Sequence, residues 1–142
     1  MSLPEMPHSD LKALQGLRGY RAERAERRLQ KALVAQRAQE VRIEQTRAQL
    51  EQACQHEARQ QAELLSQHQG QVISLHTLTS WSEAERNASA EVAREQQRLH
   101  LLLEQQQRDA IEVEHARKHA LQCLRDIEKL RELSALLGQE GL

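Results

Sequence analysis

Ser66–Trp81, SQHQGQVISLHTLTSW, is the one stretch where the helical signals of this chain fail, and its reading decides the fold. Gly70 can stop a helix, because glycine enters the left-handed conformation of a helix end without a Cβ clash. Val72, Ile73, Leu75 and Leu78 follow without helical spacing and with β-branched content. Thr77 or Thr79, ahead of Glu83 and Glu85, reads as the N-cap of a second helix. The stretch divides the chain into two arms of nearly equal length. One turn between two long helices is expected.

Both arms have the composition that this requires. Of 142 residues, 39% are hydrophobic but only 1% aromatic, with no phenylalanine, so a thick core of large side chains is not available. Ala, Leu, Glu, Gln and Arg dominate, as in long helices and coiled coils. With Ala22 at heptad position a, that series runs Ala22, Leu29, Gln36, Ile43, Leu50, Glu57, Leu64. The d series is Ala25, Ala32, Gln39, Thr46, Ala53, Gln60. In the second arm Trp81, Ala88, Leu102, Ala116, Cys123, Leu130 and Leu137 fall at d, and Val92, Leu99, Gln106, Val113, Ala120 and Ile127 at a. Most positions are apolar or small, with polar interruptions, which is a coiled-coil seam of middling quality.

The fold class expected is all-α, a long antiparallel two-helix coiled-coil hairpin. Its expected parts are a disordered tail over 1–9, a helix over 10–69, a turn over 70–78, a second helix over 79–137 and a tail over 138–142. Ser9 or Asp10 can cap the first helix, and Gly16 and Gly19 weaken its start. With the turn near residue 74, facing partners sum to about 148, so that Cys54 faces residue 94 and Cys123 faces residue 25. A single glycine-marked turn between matched arms fits this hairpin better than two continuous helices pairing between chains.

Net charge is −1, unevenly spread. Residues 1–50 hold ten Lys/Arg against six Asp/Glu, and residues 51–142 hold ten against fifteen. A fold-back lays a basic arm beside an acidic one, a modest preference because exposed ion pairs are weak. Two cysteines and no CxxC make no disulfide framework. No apolar run approaches the ~20 residues of a membrane span, and MSLPEMPHSD has neither a charged start nor an apolar stretch. A reduced, cytosolic protein is expected.

The basic charge concentrates in Arg18–Leu33, RGYRAERAERRLQKAL, which holds five arginines and one lysine with Glu23 and Glu26 among them. On a helix Arg21, Arg24, Arg28 and Lys31 share one flank, while Ala22, Ala25, Leu29 and Ala32 share another. Such a helix can follow phosphates, but the two glutamates dilute it and only Tyr20 offers a ring, so no nucleic-acid partner is expected. A membrane surface is disfavoured because the apolar flank is mostly alanine. No phosphate-cradling glycine loop or GxSxG turn occurs, and no enzyme activity is expected. His115 and His119 lie four apart beside Glu112 and Glu114 but lack a third fixed ligand, so neither a metal nor any other cofactor is expected.

At LRGYRAERAERRL the chain resembles the central stalk proteins of type III secretion, the YscO/FliJ-like family. Members carry an R-x-x-R-A-E-[KR]-A run, here Arg18-Gly19-Tyr20-Arg21-Ala22-Glu23-Arg24-Ala25. A lone tryptophan opening the second helix, in Leu78-Thr79-Ser80-Trp81, is similar as well. Gly16 and Gly19, inside what should be a firm first helix, depart from the pattern.

The resemblance implies a hairpin like the central shaft of a rotary ATPase. It implies insertion into the hexameric secretion ATPase, promotion of its activity, and a link to the cytoplasmic ring of the export gate. Family members also handle export chaperones. The implied location is the bacterial cytoplasm, at the cytoplasmic face of the secretion apparatus, without direct membrane insertion. Carried over by position, Arg18, Arg21, Arg24 and Arg28 would face the ATPase, and Val72, Ile73, Leu75, Leu78 and Trp81 the export gate. The alternative from another class is a structural coiled coil or chaperone-like adaptor with no ATPase partner.

Overall fold

A computed structural model describes residues 8–140. The fold is all-α, a long antiparallel two-helix hairpin: α1 is His8–His68, 61 residues, and α2 is Leu75–Glu140, 66 residues. Residues 1–7 and 141–142 of the two expected tails lie outside the described residues.

All four helix boundaries differ from the expected ones, the end of α1 by a single residue, at His68 rather than 69. The first helix already includes His8, because no residue after Pro7 lacks a backbone amide hydrogen. The second runs through Gly138 to Glu140, since a helical glycine costs propensity without removing a hydrogen bond. At the turn, α2 begins at Leu75 rather than at 79. Its cap is Ser74, whose Oγ accepts the Thr77 N–H at 3.2 Å while its carbonyl accepts the Leu78 N–H at 3.0 Å. Thr77 and Thr79 are therefore inside the helix. Thr77 Oγ1 lies 2.8 Å from Ser74 Oγ, and Thr79 Oγ1 donates to the Leu75 carbonyl at 2.8 Å. Gly70 ends α1 with φ +74°, and the Gln71 N–H reaches back to the His68 carbonyl at 3.2 Å.

The helices pack as two compact units. One joins α1 up to Gln36 with α2 from Arg108 onward, and the other is Arg37–Gln107. In the first, Ala25 packs on Ala120 and Cys123, and Ala32 on Val113 and Ala116, with Leu29 half-buried against both groups. Cys123 thus meets Ala25, as the partner sum requires. Leu11 and Leu130 are also buried there. Alanine at the contact lets helix backbones approach closely, but each buries little area, so the seam depends on its few larger residues.

In the second unit Ile43, Ala53 and Ala88 are buried together with two polar side chains, Gln39 and Thr46. Gln39 is only 3% exposed, and its Nε2 donates to the Leu102 carbonyl at 2.9 Å, so burial leaves that donor satisfied. Glu95, at a d position, is treated differently. Its Oε1 lies 3.4 Å from Arg98 Nη1, while its buried Oε2 has no hydrogen-bond partner among the described residues. All the a and d positions named from the sequence, Ala22 through Leu64 and Trp81 through Leu137, are buried or half-buried. The heptad assignment holds along both helices.

Candidate functional site

The basic stretch belongs to the first unit. There the helix sorts its charges by angle, which a linear count of charges does not. Residues 17, 20, 24, 27, 31 and 34 recur at intervals of three and four, at heptad positions c and f, on the side of α1 away from the seam. They are Leu17, Tyr20, Arg24, Arg27, Lys31 and Val34, and all six are exposed. Glu23 and Glu26 lie on the flank formed by the b and e positions, where Glu26 Oε1 accepts from Gln30 Nε2 at 3.1 Å. Glu26, at e, is turned toward the seam side, whereas Glu23, at b, is exposed and stands as far from the seam as the c positions, so one carboxylate remains on the outward face.

The four arginines singled out from the sequence divide into two pairs. Arg18 is half-buried, and its Nη1 donates to the Asp126 carbonyl at 2.7 Å, which fastens α1 to α2. Arg28 Nη2 lies 2.9 Å from Glu112 Oε1, and its Nε donates to the same oxygen at 2.9 Å. Arg21 and Arg24 are exposed and make no hydrogen bond or ion pair to any described residue, and the same holds for Arg27 and Lys31. A shallow open groove runs beside Arg21, Arg24, Arg28 and Lys31, with His119 of α2 lining its other side. Like charges held this close raise the local anion concentration in front of the face. Lys31 stands on the basic flank read from the sequence but outside the set that the resemblance carries over, and Arg27 and the apolar residues at either end of the row belong to neither. The 3-4 spacing of the c and f positions is the sequence signal that places them together.

His115 and His119 are both exposed. Glu112 is engaged by Arg28, and His119 Nε2 lies 3.8 Å from Cys123 Sγ. Among the described residues no three His, Cys, Asp or Glu side chains converge in a way that could hold a metal ion. No described helix is long and apolar enough to cross a membrane.

The turn, in the second unit, separates its apolar residues just as sharply. Val72, Leu75 and Leu78 are exposed, Val72 completely, and Leu65 of α1 is exposed nearby in sequence. Ile73 and Trp81 are half-buried and line a shallow depression with Ala62, Leu65 and His68. Trp81 stacks on His68, and its Nε1 donates to Glu85 Oε1 at 3.1 Å. Trp81 and Ile73 thus pack within the turn, and Val72, Leu75 and Leu78 are the residues it offers outward.

Comparison with protein-family models, with curated proteins and with solved structures gives no match.

Proposed function

We propose that this chain is a central stalk of a type III secretion or flagellar export apparatus. In this reading the first unit enters the hexameric secretion ATPase and promotes its turnover, and the turn contacts the cytoplasmic ring of the export gate. The role is one of binding rather than catalysis, exercised at the cytoplasmic face of the apparatus, and it extends to handling export chaperones.

The observation that carries the proposal is the free state of Arg21 and Arg24. A seam needs neither of them, since both are exposed and unpaired among the described residues, yet they stand in the run that resembles the stalk family. Arg18 and Arg28, bonded to α2, would set the orientation of the helix rather than meet the ATPase first. At the turn, Val72, Leu75 and Leu78 supply an apolar surface of the kind that marks contact sites.

The test is the ATP turnover of the secretion ATPase with and without this chain. Arg21→Glu with Arg24→Glu should abolish the stimulation while leaving helicity unchanged, because reversed charges repel a complementary surface and slow association. The loss should be greatest at low salt. Stimulation that survives the double reversal would leave a structural coiled coil or adaptor as the better reading.

A further inference from the structure

We propose that the outer row of α1 in the first unit, Leu17–Tyr20–Arg24–Arg27–Lys31–Val34, adsorbs to an anionic lipid surface. The proposal does not depend on the stalk reading, and it concerns adsorption at the headgroups, not insertion.

Three observations lead to it. First, the outward face carries three cations against one carboxylate, Glu23 beside Arg27, and none of the three cations is held in an ion pair among the described residues. Arg21 and Arg28 stand on the adjoining g flank, which adds positive potential even though Glu112 takes up part of Arg28. Second, the row does not end in polar residues. Tyr20 is 56% exposed and Leu17 46% at one end, and Val34 is 62% exposed at the other. Third, the alanines that made a membrane surface look unattractive in the sequence are not the outward apolar residues. Ala25 and Ala32 are buried in the seam, so the outward apolar set is Leu17, Tyr20 and Val34.

This order of residue types matches the layering of a lipid interface. Cations sit at the phosphate level, while aliphatic side chains and a tyrosine ring reach just below it. From residue 17 to 34 the row spans about 25 Å of helix, enough to lie along a surface across several headgroups. A nucleic acid would use the same cations but would gain nothing from Leu17 or Val34, and Tyr20 is the only ring on which a base could stack. The apolar ends therefore favour the lipid. Three cations with flanking aliphatics give reversible binding, since each charge near an anionic leaflet multiplies the partition only about fivefold.

The experiment is co-sedimentation of the full chain with vesicles of phosphatidylcholine alone and of phosphatidylcholine containing phosphatidylglycerol. Binding is expected only to the anionic vesicles and should weaken steeply as salt shortens the screening length. Arg24→Gln with Arg27→Gln and Lys31→Gln should lower the partition about a hundredfold. Arg24→Lys with Arg27→Lys should keep it, which separates loss of charge from loss of fold. Leu17→Ser with Val34→Ser should weaken binding severalfold at constant charge. Equal binding to neutral and anionic vesicles would overturn the proposal, as would retention by the triple Gln variant. Indifference to the serine pair, or a single-stranded RNA oligomer that displaces the chain from vesicles, would overturn it as well, leaving a general polyanion surface.

Discussion

The indole of Trp81 lies on the imidazole of His68, ring centroids 5.7 Å apart and planes 27° from parallel. The pair joins the last residue of α1 to the first turns of α2, on the two sides of the six-residue connection 69–74. The stacked pair is a side-chain contact that links the two helices across the connection. A double-mutant cycle of His68→Ala and Trp81→Ala should give a coupling of about 0.5–1.5 kcal/mol, read from thermal or denaturant unfolding. Additive effects would mean that the rings are adjacent without interacting.

Trp81 and its exposed neighbours should also separate by assay. Val72→Ser with Leu75→Ser removes outward apolar surface and should leave the melting temperature within about 2 °C, since neither side chain is buried. Under the proposed function the same pair should weaken binding to the export-gate ring at least tenfold. A fall in melting temperature without any loss of binding would assign both residues to the turn's own packing.

The glycines should respond in opposite directions. Gly70 has φ +74°, where an added Cβ is strained whatever space surrounds it, so Gly70→Ala should destabilise by about 1 kcal/mol. Gly16 and Gly19 are helical, and a Cβ at either meets nothing within 4 Å. Gly16→Ala and Gly19→Ala should each stabilise by up to ~1 kcal/mol. Urea unfolding of the three single variants measures all of these changes.

Ser74 is the cap that starts α2, and Ser74→Ala should cost about 1 kcal/mol by freeing the Thr77 amide. Ser74→Asp should restore it, because a carboxylate can accept the same bond and also suits the positive end of a helix. Amide hydrogen exchange over 75–79 reports the effect directly. Faster exchange in the alanine variant alone is the expected pattern.

The two polar seam residues of the second unit should differ as well. Glu95 leaves a buried oxygen without a partner among the described residues, so Glu95→Leu should raise stability by about 1 kcal/mol. Gln39 is satisfied by the Leu102 carbonyl, so Gln39→Leu should change stability less. A buried polar residue can also fix the pairing of a coiled coil, and light scattering on Gln39→Leu tests whether the chain now associates in other ways. If Gln39→Leu proves the more stabilising of the two, the hydrogen bond to Leu102 contributes nothing.

The sequence by itself determined the helical class, the single interruption at Gly70 and the residues that form the seam. Each of these is written in local signals, namely a conformational preference, a composition and a period of three and four. The heptad positions chosen from Ala22 onward are the ones that became buried. The cap was legible in type but not in place, because Ser74, Thr77 and Thr79 all carry suitable oxygens and only the backbone path selects among them. The tertiary structure decided which charges are free and which apolar residues face outward. Arg18 and Arg21 look alike in the sequence, three apart in one basic run. Arg18 falls at d, seven residues before Ala25, and reaches a carbonyl of α2, whereas Arg21 at g is exposed and finds no such partner among the described residues. Ile73 and Val72 are adjacent β-branched residues, yet one is half-buried near Trp81 and the other fully exposed. Such differences come from the angle at which each side chain leaves the backbone and from what the other helix places opposite it. A period fixes the angle, but only the packed pair fixes the partner.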